Sequence, residues 1–407
     1  MLLFEVKKVF LKPISKIVLL LLLILLIVVS YLAVRSVEYV DSEGRSTFGI
    51  LAAKSLRKSK NQWAGYITED VLVEVLEKNA TINNSDEYLS KEVQENNKAY
   101  AKKQGFSDIR EMINMAFGGF QDYDYYRADS VTIGEVGSFY TNRILNLKSW
   151  LNSAEVKDNS SESEKEFLIN QYEKLNTPLY YEYMDGWNAL LEYMPTLIMV
   201  LVLISGFLVS GIFSNEFQLK ADSIFFSTKF GRNRAICSKI GAGFVIVTTI
   251  YWSCIFLYSM IVLAVLGTDG ASCAIQTGLG GWKSFYNITC FQEYLLAIMG
   301  GYIGSLFILT LSMLISAKTR STVLAVTIPF ILLFIPTFLN SVDALSKVLG
   351  VLPDQLLQIG QAVNYFNLYQ VAGRVVGAIP ILFIVYVLLY GITLPLTYYV
   401  YRKSEIK

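Results

Sequence analysis

The chain has 407 residues, 53% of them hydrophobic and 14% aromatic, with a formal net charge of +1. The apolar share exceeds the roughly 45–50% of an ordinary soluble domain. Histidine is missing altogether, which excludes Ser-His and Cys-His nucleophile pairs and the histidine-based zinc protease motif.

In chain order, a basic amphipathic segment over 1–16 comes first. Six runs free of charge follow, at 17–34, 196–215, 240–268, 294–317, 321–342 and 375–401. A helix rising about 1.5 Å per residue needs roughly 20 apolar residues to cross a hydrocarbon core near 30 Å. The spacing therefore predicts spans at 17–34, 194–213, 240–267, 294–316, 321–340 and 375–401. The first is expected to be retained, because the residues from Tyr31 to Arg35 make a poor small-residue cleavage site. The expected fold is an all-α polytopic membrane protein of six transmembrane helices. A large, mainly helical extracellular domain, 35–192, lies between the first two.

Charge sorting sets the expected orientation. Residues 35–192 hold 18 Lys/Arg against 26 Asp/Glu, and the remainder holds 17 against 8. Lys7, Lys8, Lys12 and Lys16 precede the first span; Lys220, Lys229, Arg232, Arg234 and Lys239 fill the loop 214–239. Lys318 and Arg320 join the fourth and fifth spans, and Arg402, Lys403 and Lys407 close the tail 402–407. Basic residues near span ends favour the cytoplasm. On this reading 35–192, 268–293 and 341–374 face out of a multi-pass cell membrane, taken as a bacterial plasma membrane.

Within 35–192, Val71, Leu72, Val75 and Leu76 share one helical face behind a Thr68 cap, and Ser107 heads a similar pattern. Phe167, Leu168, Tyr172 and Leu175 form another stripe; 79–86 and 122–129 read as turn-rich, and 157–164 as a flexible connector. These stripes are expected to be core. Tyr123, Tyr125 and Tyr126 suit contact with a peptide or headgroup. Tyr180, Tyr181 and Tyr183 suit that role or interface anchoring equally. Cys273 and Cys290 lie 17 positions apart in one outer loop; a disulfide there is chemically permitted, and two unpaired thiols fit the spacing equally well.

No ionisable residue lies inside the six charge-free runs, which argues against an ion-coupled carrier or an embedded aspartyl hydrolase. No G-x-x-x-x-G-K-[ST] loop is present, so ATP hydrolysis is expected in another subunit. No cofactor, metal or nucleic acid is expected in this chain.

The most informative segment is 214–239. Phe217, Ala221, Ile224 and Phe225 recur at helical spacing, with Glu216 placed to start a short interfacial helix. The turn Ser227-Thr228-Lys229-Phe230-Gly231-Arg232 follows, then Arg234, and Lys239 stands at the mouth of the third span. Charge pattern alone is satisfied by a positive-inside loop.

An acid after the second span, a short helix, a small-polar and basic turn, and a lysine about seven positions on resemble the permeases of the ABC-2 family of ATP-driven transporters. The amino-terminal segment from Phe4 to Lys12 resembles their connecting helix, and the amphipathic stretch 349–371 before the last span is similar too. The resemblance covers the amino terminus and spans two to six but not 35–192. Lys229 and Phe230 depart from it, standing near where a proline is common. It implies an exporter of an amphipathic peptide or lipid-like substrate. A separate ATPase subunit would hold ATP and magnesium and grip Glu216, Phe217, Lys220, Phe225, Lys229, Arg232, Arg234 and Lys239. It also implies a homodimer, or a heterodimer with a homologous permease, within the lipid bilayer. The layout of one span, a large outer domain and a second span also resembles mechanotransmission-type subunits that move nothing across the membrane. A membrane-anchored sensor or scaffold is the alternative from another class.

Overall fold

The computed structural model describes residues 1–154, 156–157, 160–221, 227, 231, 233–278, 280–339 and 345–403. A short helix, α1 (Leu2–Phe10), turns at Leu11 and Lys12 into α2 (Pro13–Arg35). Pro13 occupies the first helical position, where its missing N–H is no loss. The polar domain follows, with α3 (Ile50–Lys60), α4 (Glu69–Asn83), α5 (Val93–Lys103), α6 (Ser107–Phe117), α7 (Phe139–Leu151) and α8 (Glu162–Glu173). Then come α9 (Asp185–Gln218), α10 (Arg234–Leu266), α11 (Cys290–Thr319), α12 (Thr322–Leu339), α13 (Pro353–Leu357) and α14 (Ala378–Arg402).

Six of these, α2, α9, α10, α11, α12 and α14, are long and apolar enough to cross a membrane. The most apolar stretches of α9 and α11 are 67% buried, against 22% for α12 and α14. The first two therefore form the axis of the bundle, and the others turn most of their apolar surface outward. At 1.5 Å per residue the 34 residues of α9 run about 51 Å, well beyond a hydrocarbon core of about 30 Å. It is thus long enough for its charged ends, Asp185 and Glu216, to lie outside such a core.

The domain's stripes are core as expected: Leu72, Val75, Leu76, Leu168 and Tyr172 are buried. Thr68 precedes α4 without a side-chain capping bond, whereas Ser161 caps α8 in a reciprocal box with Glu164. That cap gives the end of the expected connector 157–164 a defined structure.

The domain boundary is corrected in two ways. Residues 185–192 belong to α9, so the stretch ends at 184. The domain also takes up later chain: Trp282 packs in one core with Ile67 and Phe139, and Phe285 and Leu368 join another with Leu147, Leu151 and Tyr172. Arg143 clamps this addition by donating to the carbonyls of Trp282 at 2.9 Å and Ser284 at 2.7 Å, while Tyr172 Oη donates to the Lys283 carbonyl.

The expected amphipathic stretch 349–371 holds several short elements. Pro353 opens α13, Gln358 separates it from a turn at Ile359–Ala362, and a hairpin pairs Leu368–Val371 with Arg374–Gly377. That hairpin delays the last long helix to Ala378. α13 seats against α11 at Gly300, where a Cβ would stand 2.8 Å from the Leu356 carbonyl oxygen; only glycine permits so close a backbone approach.

Candidate functional site

Helix α9 ends in a Schellman turn. The Ala221 N–H donates to the Glu216 carbonyl and the Lys220 N–H to that of Phe217, with Lys220 in the left-handed region at φ 53°. Glu216 and Phe217 thus lie in the last turn of α9 and do not start a separate helix. The expected stabilisation of Glu216 at a helix amino terminus is therefore corrected, because an acid in a last turn faces the unfavourable end of the dipole. Its compensation is ionic instead.

Lys239, on α10, is fully buried. Its Nζ donates to Glu216 Oε1 at 2.8 Å, Glu5 Oε2 at 3.1 Å and the Ile212 carbonyl at 3.1 Å. Lys8 Nζ reaches the same Glu216 oxygen at 2.6 Å. Two ammonium groups and two carboxylates from α1, α9 and α10 thus form a neutral cluster. Charged groups withdrawn from water persist only when paired and hydrogen-bonded in this way. Lys12, at the turn before α2, has its pKa lowered by burial first and then by Lys8 and Lys239.

The same end of α9 meets the remaining helices through small polar and aromatic groups. Ser316 Oγ donates to the Ser210 carbonyl at 2.5 Å and accepts from the Ser214 N–H at 3.1 Å. Ser214 and Thr322 hydroxyls lie 2.7 Å apart. Phe213 packs on Tyr401 of α14 with ring centroids 4.4 Å apart, and Arg320 lies 4.4 Å over the Phe217 ring. The result is a hub in which the start of α10, the ends of α11 and α14 and the start of α12 converge on residues 210–217.

Of the residues expected to act together, Glu216, Phe217 and Lys239 meet here. Lys220 terminates α9 and Arg234 opens α10. Phe225, Lys229 and Arg232, with the expected interfacial helix and turn, lie outside the described residues. Sequence reasoning missed Glu5, Lys8, Ser210, Ser214, Ser316, Arg320 and Tyr401. The available signal was Glu5 and Lys8, opposite charges three positions apart on α1.

The opposite end of α9 is held by a second buried charge group. Lys60 Nζ lies 2.8 Å from Asp108 Oδ2 and 2.7 Å from Asp185 Oδ2. Burial works against the Lys60 ammonium, but the two carboxylates outweigh it and raise its pKa. Arg57 pairs with Asp269, just past the end of α10, at 2.5 Å. Tyr181 and Tyr183 are fully buried core, and Tyr181 Oη donates to Asp108 at 2.8 Å. The anchoring role open to them is thus replaced by packing. Tyr123, Tyr125 and Tyr126 are exposed.

All four cysteines are free. Cys273 and Cys290 are buried neighbours across a short antiparallel bridge, with the Cys290 N–H donating to the Cys273 carbonyl at 3.0 Å. Of the two states their spacing allowed, the unpaired one is present. Burial pushes the Cys273 thiol up to about 12. Among the described residues no group of three or more Cys, Asp or Glu side chains is arranged to hold a metal.

No protein-family model matches the chain, and no curated protein matches it.

Proposed function

We propose that this chain is the membrane subunit of an ABC-2-type transporter, a permease that exports an amphipathic peptide or lipid-like substrate while a separate subunit hydrolyses ATP. The observation that carries the reading is the cluster of Glu5, Lys8, Glu216 and Lys239. It joins α1 to the two helices between which 219–233 leaves and returns. A force applied to that segment reaches α1, α9 and α10 together, because separating them means pulling apart buried charges.

In this reading the basic face is cytoplasmic and the polar domain extracellular, in a bacterial cell membrane. Segment 219–233 is the surface for the ATPase, and α9, spanning the axis, carries motion between the faces. A second permease copy or a homologous partner completes the assembly. Mg-ATP belongs to the partner; this chain supplies the lever.

One observation favours a second reading, the mechanotransmission type. The domain grips 282–285 and the 368–377 hairpin as well as α9, so it can pull on several helices at once without passing cargo.

Co-expression with a stand-alone ATPase encoded beside this chain tests the proposal. Co-purification and ATP turnover that depends on both chains support it. Turnover by this chain alone, or no association with any such ATPase, contradicts it. Accumulation of substrate by vesicles containing the complex separates export from mechanotransmission.

A further inference from the structure

Two cavities lie at the domain end of the bundle, of about 330 and 320 Å³. The first is enclosed by α3, α5 and α6 on one side and by the ends of α2 and α9 on the other. The second lies between α9, the first turn of α11, the loop at 275–281 and residues 360–364. Both are lined by Asn188 and Glu192. These stand four positions apart on one face of α9, so the cavities adjoin along that stripe.

Their charge is one-sided. Five carboxylates and three cations line the first cavity. Lys60 is taken up by Asp108 and Asp185, and Arg110 by Asp129 at 3.2 Å. Lys103 is engaged by Asn83 and by the Tyr88 ring at 4.2 Å, neither of which lines the cavity. Glu38 and Glu192 form no ion pair among the described residues. The second cavity contains Glu192 and Glu293 and no described cation. Glu293 lies in the first turn of α11, one of the apolar helices. A carboxylate in a first turn is favoured by the helix dipole, and no described cation lines the cavity beside it. The amide side chains of Gln361 and Asn364 provide further acceptors.

We propose that the adjoining cavities form one vestibule for a flexible molecule carrying two or more ammonium or guanidinium groups. One cationic group would lie between Glu192 and Glu293 and another toward Glu38. Glu38 and Glu192 are exposed and Glu293 is half-buried, so the excess negative charge of the clefts is open to cations from solution. A polyamine and a lysine-rich peptide share this chemistry. The inference rests on the cavities and not on the ATP-driven reading, so it stands or falls without an ATPase.

The test is calorimetric titration of the full chain in phosphatidylcholine nanodiscs with spermidine, trilysine, triglutamate and calcium. Spermidine, trilysine or both bind, more weakly as salt rises, and triglutamate does not. The better of the two identifies the source as polyamine or peptide. Glu192→Gln, which neutralises an exposed side chain, and Glu293→Gln each weaken binding at least about tenfold. Retained thermal unfolding midpoints exclude misfolding as the cause. Absence of polycation binding, equal binding of triglutamate, calcium binding that polycations do not displace, or unchanged affinity in both variants overturns the proposal.

Discussion

Lys239 Nζ and Glu216 Oε1 lie 2.8 Å apart although 23 positions separate them in the chain. The whole of 219–233 leaves and returns between these two residues. The contact closes that segment at its base, and α1 seals it through Glu5 and Lys8.

Removing one member should therefore cost more than removing a pair. Lys239→Met takes the partner from Glu5 and leaves Glu216 with Lys8 alone, and should destabilise the chain by about 3–5 kcal/mol. Glu216→Gln combined with Lys239→Met should regain much of that loss. Denaturant unfolding in detergent checks both; additive losses in the double variant would contradict the pairing.

The six long helices were legible because a charge-free run of about 20 residues has few other uses. The end of α9 was not. The charge-free run stops at Asn215 and invites a helix start at Glu216, yet the backbone continues to Gln218, because the cost of burying that acid is met by Lys239. Distant partners leave no periodic trace. For the same reason nothing near Trp282 revealed that it completes a core with Ile67.

Asp354 gives a pH dependence of known sign. Its side chain is buried, Oδ1 has no hydrogen-bond partner, and burial pushes its pKa up to about 6 despite the bond from Gln355 Nε2. The folded chain then retains a proton that the unfolded chain loses near pH 4, so this group's contribution falls as pH rises from about 4 to about 6. Asp354→Asn should remove that loss and stabilise the protein at pH 7 by about 3 kcal/mol. Thermal midpoints at pH 5 and pH 7.5 report it; a variant equally sensitive to pH would refute the assignment.

Arg143 should control the grip of the domain on the later loop. Arg143→Leu leaves the Trp282 carbonyl without its donor, at about 1–3 kcal/mol for a buried group, and leaves the Ser284 carbonyl with Gln276 Nε2 alone. Lysine cannot reproduce the two-pronged contact. Hydrogen exchange at 282–286 should accelerate in both variants while the middle of α11 stays protected. Unchanged exchange would show that the loop is held by packing alone.

The thiols offer a direct check of the fold. Cys237 is exposed, whereas Cys273 and Cys290 are buried. A maleimide should label Cys237 first and reach the buried pair only on unfolding, with no rise in thiol count after reduction. Two additional thiols on reduction would establish the disulfide instead.

In the proposed function, motion of a partner ATPase enters through the base of 219–233. The measurement is ATP turnover of the reconstituted complex, wild type against Glu216→Gln/Lys239→Met, with assembly confirmed by co-purification. The account predicts an assembled complex whose permease-stimulated turnover falls by about 5–150-fold, the usual span of a coupling energy. Full stimulated turnover with the cluster neutralised would contradict it.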